Sequence, residues 1–167
     1  MAADFIVGAA TFQAWNAASP TTTAVHQKGD IRETKNGRQL LYVQAGEALT
    51  PNKWCVVDVD GKAYLATKTL VDKFLPVMGS CAATVALNKW FWLIVESPHR
   101  DADSESWLDT AGAVVINTEV YTSGTAGKVD DVTTSQTKIK GLTAKATVGS
   151  ATTSYDFTWY KGPSHTS

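Results

Sequence analysis

The sequence predicts an all-β protein: a single antiparallel β-barrel or β-sandwich domain with an extended N-terminal arm and at most one or two short helices. Three observations predict it. Short runs of alternating apolar and polar residues recur along most of the chain, at a spacing of roughly 8 to 15 residues. Turn dipeptides that tolerate positive φ, Asn36-Gly37 and Asp60-Gly61, separate consecutive runs near the start of the domain. The most apolar stretch, residues 87–96, is apolar on both faces of an extended chain, with Trp90, Trp92 and Ile94 on one side and Phe91, Leu93 and Val95 on the other. A strand that seeks burial on both faces belongs between two layers. Its uninterrupted apolar part, Trp90 to Val95, is far below the ~18 to 20 residues needed to cross a bilayer as a helix.

With 167 residues and 44% hydrophobic content, the chain is sized for one core, and the domain is expected over residues 28–161. Residues 1–27 read as the extended arm and 162–167 as a flexible tail. Net charge is −1, from 15 basic and 16 acidic residues, so no global field favours nucleic acid or an anionic membrane as a partner. The N-terminus carries Asp4 where an export signal needs a base, and its apolar run is short. Synthesis in a cytoplasm without export is expected.

Taken in order, the arm holds Phe5, Ile6, Val7, Phe12 and Trp15 among Ala, Ser and Thr. A solvated segment would not carry five large apolar residues, so the arm is expected to lie against its own domain or a neighbouring subunit, the alternative being an ordinary first strand of the core that begins near Phe5. Strands are expected at 31–34 and 39–43 around Asn36-Gly37, and at 54–59 and 62–66 around Asp60-Gly61. Leu70, Val71, Phe74 and Leu75 fit a 3.6-residue period and Pro76 follows, which predicts one or two helical turns over 67–75. A strand of small residues is expected over 77–85, leading into the aromatic strand.

The triplet Asn-Lys-Trp occurs at 52–54 and again at 88–90, either as a duplicated hairpin or as two turns with one local solution. Residues 99–107 are the most charged patch and read as an exposed excursion. Strands resume at 114–116, 118–122, 139–148 and 155–160. Trp54, Trp90, Trp92 and Ile94 are the expected core.

Few residues suggest chemistry. His26, His99 and His165 fall in the arm, a loop and the tail, and none lies at metal-ligand spacing from another ligand. Asp58-Val59-Asp60-Gly61 begins like a calcium loop, but Lys62 stands at the next ligand position. Asp101, Asp103 and Glu105 cluster on a loop whose twelfth position is Gly112, so a solvated acidic loop is expected. Cys55 and Cys81 sit in apolar runs without CxxC spacing and read as buried reduced thiols, with a disulfide or a reactive thiol as the alternatives. No phosphate-binding glycine loop or nucleophile elbow is present. Neither catalysis, a metal nor a cofactor is expected. A β-rich chain with quiet chemistry and an apolar arm binds or builds.

The order of motifs resembles the head decoration, or cement, proteins of tailed bacteriophages. The residues that carry the resemblance are Asp58 to Gly61 after a first hairpin, the run from Trp90 through Trp92 to Pro98, the stretch from Val120-Tyr121-Thr122 through Ala126-Gly127 to Val129-Asp130, and Ile139 to Thr143. The match covers roughly residues 29–145. Phe91 stands where the family tends to place Gly, Ser97 replaces a second Gly, and 99–110 look like an insertion. The resemblance implies a protein on the outer capsid surface of a virion, bound to the major capsid protein, bridging its subunits, often as a homotrimer. On that reading Phe5, Ile6, Val7, Phe12 and Trp15 contact the capsid or a sister subunit, with Trp159 and Tyr160 near another contact. A head-fibre or tail-associated virion protein with a receptor- or glycan-binding face around Trp107 is the alternative.

Overall fold

The computed structural model describes residues 5–6, 9–10, 20–33, 39–74, 77–96, 107–144, 147–151 and 155–159. In chain order its elements are β1 (Phe5–Ile6), β2 (Ala9–Ala10), β3 (Ile31–Glu33), β4 (Gln39–Ala45), β5 (Lys53–Val57), β6 (Lys62–Leu65), α1 (Lys68–Phe74), β7 (Val77–Cys81), β8 (Trp90–Glu96), β9 (Trp107–Leu108), β10 (Glu119–Thr122), β11 (Val129–Asp130), β12 (Lys138–Ala144) and β13 (Tyr155–Trp159). The fold is all-β with one short helix among the described residues, as the sequence predicts.

β4, β8, β7, β5 and β6 are hydrogen-bonded in that order. The sheet closes into a barrel where the end of β4 runs parallel to the start of β6, Gln44 opposite Lys62 and Ala45 opposite Ala63. β3 adds an antiparallel strand to the first half of β4, with Ile31 opposite Leu41 and Glu33 opposite Gln39. Closure removes free edges; the extra strand is short and carries Arg32 and Glu33, which discourage pairing with another sheet. The turn at Asn36-Gly37 lies outside the described residues.

The alternation of β8 is realised in full. Phe91, Leu93 and Val95 enter the main core with Val43, Ala45, Cys55 and Val57, whereas Trp92 and Ile94 join Leu40 and Tyr42 in a second cluster, with Trp90 half-buried against it. Trp54 is fully buried.

The hairpin at Asp60-Gly61 departs from the expected two-residue turn. Asp58 N–H donates to Lys62 O (2.9 Å) and Gly61 N–H to Asp58 O (3.0 Å), leaving a three-residue loop in which Gly61 has φ +70°. This is a type I turn followed by a left-handed residue. The Asp58 carboxylate accepts from Lys62 N–H at 2.8 Å, a turn role and not a cation-ligand role.

α1 packs on β5. Thr67 Oγ1 caps it by accepting from Leu70 N–H (3.3 Å). β7 ends at Cys81, earlier than expected; beyond it Val85 pairs with Leu49 through two backbone bonds of 2.8 and 2.9 Å.

A second five-stranded sheet runs β11-β10-β12-β13-β9. Its ends also meet: Thr110, just past β9, forms a parallel bridge with Val129 of β11. Matching β4 through β8 to β9 through β13 reproduces every pairing of the first ring, including its one parallel contact. The correspondence reaches single residues. Ala45, Leu49 and Asn52 have counterparts at Thr110, Val114 and Asn117, each 65 positions later. The bridge Leu49–Val85 recurs as Val114–Val148, and the bond from Asn52 N–H to Cys81 O recurs as Asn117 N–H to Ala144 O (2.8 and 3.0 Å). Asn52 and Asn117 both have φ +62°, and Gly61 and Gly127, each followed by Lys, have φ +70° and +72°.

The chain is thus a tandem pair of rings sharing one continuous apolar core. Asn88 (φ +64°) and Asn52 (φ +62°) give the two Asn-Lys-Trp triplets the same turn conformation, 36 residues apart, while the ring-to-ring repeat has another period. Val115 and Ile116, expected to continue a strand from Val114, are instead half-exposed.

Candidate interaction surface

The outer wall of the first ring is aromatic, and the chain's own lead-in crosses it. Tyr42 lies opposite Trp92 in the β4–β8 register, flanked by Leu40 opposite Ile94 and Gln44 opposite Trp90. The Tyr42 ring stacks on Trp90 (5.5 Å between centroids, 17° between planes) and tilts against Trp92 (4.9 Å). His26 packs on both, 5.1 Å from Tyr42 edge-on and 5.1 Å from Trp92. Such pairs add about 0.5 to 1.5 kcal/mol each beyond area burial.

Residues 20–30 are held there mainly by backbone bonds. Thr21 and Trp90 exchange two, both 2.9 Å; Gly29 N–H donates to Tyr42 O and Tyr42 N–H to Asp30 O, also at 2.9 Å. The Tyr42 hydroxyl accepts from Val25 N–H (3.2 Å). Lys89 Nζ donates to Thr22 Oγ1 (2.6 Å) and Lys28 Nζ to Asp60 O (2.8 Å). The part of the expected arm that adjoins the barrel, residues 20–27, is therefore strapped to its wall, from Thr21 onward.

Of the expected contact residues, Phe5 and Ile6 form β1, which pairs with β2, Phe5 opposite Ala10 and Ile6 opposite Ala9. Trp159 ends β13 opposite Leu142. Val7, Phe12, Trp15 and Tyr160 lie outside the described residues, as do Asp101, Asp103, Glu105 and the tail 162–167. Trp107 begins β9 opposite Asp156.

Where the two rings meet, polar groups are enclosed. Gly127 sits in the fork between β5 and β6: Trp54 N–H donates to its carbonyl (2.8 Å), its N–H donates to Ala66 O (2.9 Å), and Ala66 N–H donates to Trp54 O (2.8 Å). Beside this triangle Lys53 Nζ pairs with Asp109 Oδ2 at 2.5 Å, their side chains only 17% and 8% exposed. Helix α1 is tied to the second ring by Thr137 Oγ1 donating to Asp72 Oδ1 (2.6 Å). These groups form a structural junction.

Cys55 and Cys81 are free and buried on adjacent strands, Cys55 opposite Gly79 and Lys53 opposite Cys81. Their shared hydrogen bond, with burial, pushes the Cys55 thiol well up and draws the Cys81 thiol down against its own burial; the thiolate is disfavoured at Cys55, and Cys81 Sγ lies 3.0 Å from Ala83 O. Among the described residues no three His, Cys, Asp or Glu side chains gather as metal ligands. No described helix is long and apolar enough to cross a membrane.

No family model matches the chain, and neither does any curated protein or solved structure in the comparisons made.

For residues 20–27 the first of the two expected placements, against the chain's own domain, is the one found; the backbone strapping that achieves it has no signal in the sequence beyond His26, which precedes the aromatic wall it covers.

Proposed function

We propose that this chain is a structural virion protein that binds the outer surface of an assembled phage capsid and stabilises it by bridging capsid subunits, with the major capsid protein as partner and sister copies beside it. The observation that carries the reading is the root of the arm. Five large apolar residues, Phe5, Ile6, Val7, Phe12 and Trp15, precede a point at Thr21 where the chain is bonded to a rigid barrel wall. A barrel that presents an apolar arm from a fixed root suits attachment to a repetitive shell. Each contact is modest, and many identical copies sum through multivalency. The resemblance to cement proteins over residues 29–145 supports the same reading, and so does a surface that carries few charges.

The test is direct. Purified protein is mixed with expanded capsids lacking it, and stoichiometric binding is measured by sedimentation. A variant lacking residues 1–20 is expected to keep its fold, by circular dichroism, and to lose binding. A stable full-length chain that shows no association with such capsids would sink the proposal.

A further inference from the structure

The first ring carries a symmetry within itself. β5 corresponds to β8 and β7 to β4, each 36 positions apart, and the pairings correspond with them: Trp54 opposite Ser80 matches Trp90 opposite Gln44, Val56 opposite Met78 matches Trp92 opposite Tyr42, and Val57 opposite Val77 matches Leu93 opposite Leu41. Leu49 and Val85, related by the same shift, bond to each other in both directions, as residues beside a twofold axis do. Asn52 N–H donates to Cys81 O and Asn88 N–H to Ala45 O (2.8 and 2.9 Å). The two Asn-Lys-Trp triplets therefore mark two equivalent ends of one barrel.

Each end is capped in the same manner by a different segment. At Trp90 the N–H donates to Thr21 O and the carbonyl accepts from Thr21 N–H; at Trp54 the N–H donates to Gly127 O and the carbonyl accepts from Ala66 N–H, whose own carbonyl accepts from Gly127 N–H. The lysine of each triplet also reaches its cap, Lys89 Nζ to Thr22 Oγ1 (2.6 Å) and Lys53 Nζ to Asp109 Oδ2 (2.5 Å). The lead-in thus holds at one end the place that the second ring holds at the other.

The two caps differ in how firmly they are held. At the Trp54 end Gly127, Asp109 and Thr110 are buried, and the lysine meets a carboxylate in an enclosed pair. At the Trp90 end none of residues 20–30 is buried, Val25 is 63% exposed, and the lysine meets a neutral hydroxyl at the surface. A segment with little apolar burial and solvent-exposed backbone bonds opens locally, ahead of the fold that carries it.

We infer that the lead-in is a releasable strap: residues 20–30 detach from the Trp90 end while the barrel, including its Trp54 end, stays closed. Detachment frees the outward backbone groups of Trp90 and Tyr42, uncovers the stacked rings of those two residues together with Trp92, and passes residues 20–30 to the arm. The strap works in this way whether or not the arm engages a capsid.

The experiment is native-state hydrogen exchange on the full chain, read by NMR at four amides. Tyr42 and Trp90 donate to Asp30 and Thr21 of the lead-in, whereas Trp54 and Gly127 donate within the other cap. Protection at the first pair is expected to be at least about tenfold lower than at the second, and to stay constant over urea concentrations that reduce it at the second. Thr21→Pro, which deletes the N–H that Trp90 O accepts, is expected to lower protection at Tyr42 and Trp90 further with unchanged circular dichroism. Lys89→Ala is expected to leave the urea midpoint of unfolding unchanged, whereas Lys53→Ala, at the equivalent position, lowers it. Equal protection with equal urea dependence at all four amides overturns the inference, because the strap then opens only with the barrel. So does a Thr21→Pro variant that loses its β signal or leaves exchange at Trp90 unchanged, and so does a Lys89→Ala variant whose midpoint falls as far as that of Lys53→Ala.

Discussion

Replacing Gly127 with alanine probes the junction of the two rings at its narrowest point. The residue has φ +72°, where an L side chain costs roughly 1 to 2 kcal/mol. A Cβ there would stand 2.9 Å from Leu65 Cδ2 and 3.1 Å from Lys53 Cβ. Lys53 is held by its ion pair with Asp109 and Leu65 lies at the end of a ring strand, so little can yield, and overpacking adds roughly 1 to 3 kcal/mol. The expected destabilisation is about 2 to 5 kcal/mol, or roughly 5 to 15 °C in melting temperature for a chain of this length.

Two companions calibrate the result. Gly61→Ala meets the same conformational penalty (φ +70°), but its close neighbour is the flexible chain of Lys28, so about 1 to 2 kcal/mol is expected. Gly124→Ala has nothing within 4 Å and should fall within about 0.5 kcal/mol of wild type. Urea unfolding followed by tryptophan fluorescence gives all three. If Gly127→Ala proves as stable as Gly124→Ala, the interlocked backbone triangle is not the constraint described.

Other consequences can be measured with the same assays. Asp109→Ala leaves Lys53 enclosed without its partner and should cost about 3 to 5 kcal/mol, while the double change Lys53→Met with Asp109→Leu should recover much of the loss. Tyr42→Phe removes the acceptor for Val25 N–H and should cost about 1 kcal/mol; hydrogen exchange should show faster exchange at Val25 with little change in β7. The Asp72 carboxyl is held below its ordinary value by Lys68 and by Thr137. Because the folded form has the lower pKa, this stabilisation is present above the unfolded value of about 3.9 and is lost as pH falls through the folded one. The difference in urea midpoint between wild type and Thr137→Val should therefore be present at neutral pH and shrink in acid.

Much of the fold is legible in the sequence because it is dictated locally. Alternation in residues 90–96 assigns Phe91, Leu93 and Val95 to one side and Trp92 and Ile94 to the other, and both sides are found packed as two separate clusters. The 3.6-residue period that starts at Leu70 and Val71 marks α1; Leu75 and Pro76 lie outside the described residues. Ring closure is a different matter, since it rests on short parallel contacts between residues distant in sequence, such as Gln44 with Lys62. The tandem repeat hides for a related reason. Its halves share the backbone-defining positions, Asn52 with Asn117 and Gly61 with Gly127, while side chains diverge as far as Trp54 against Glu119. The lead-in was hidden because a polar segment held by backbone bonds leaves no periodic trace.

The anchoring of residues 20–30 has a mechanical side. A pull on the arm reaches the barrel first at Thr21, through the paired backbone bonds to Trp90, and next at Gly29 and Asp30, through those to Tyr42. Both receiving strands are interior members of a closed ring and are paired with each other along six positions. Tension arriving there is spread through the wall and does not peel back a loose edge. Failure should begin with release of the lead-in and stop at the barrel, so that a loaded arm lengthens by about ten residues before the fold itself bears the force.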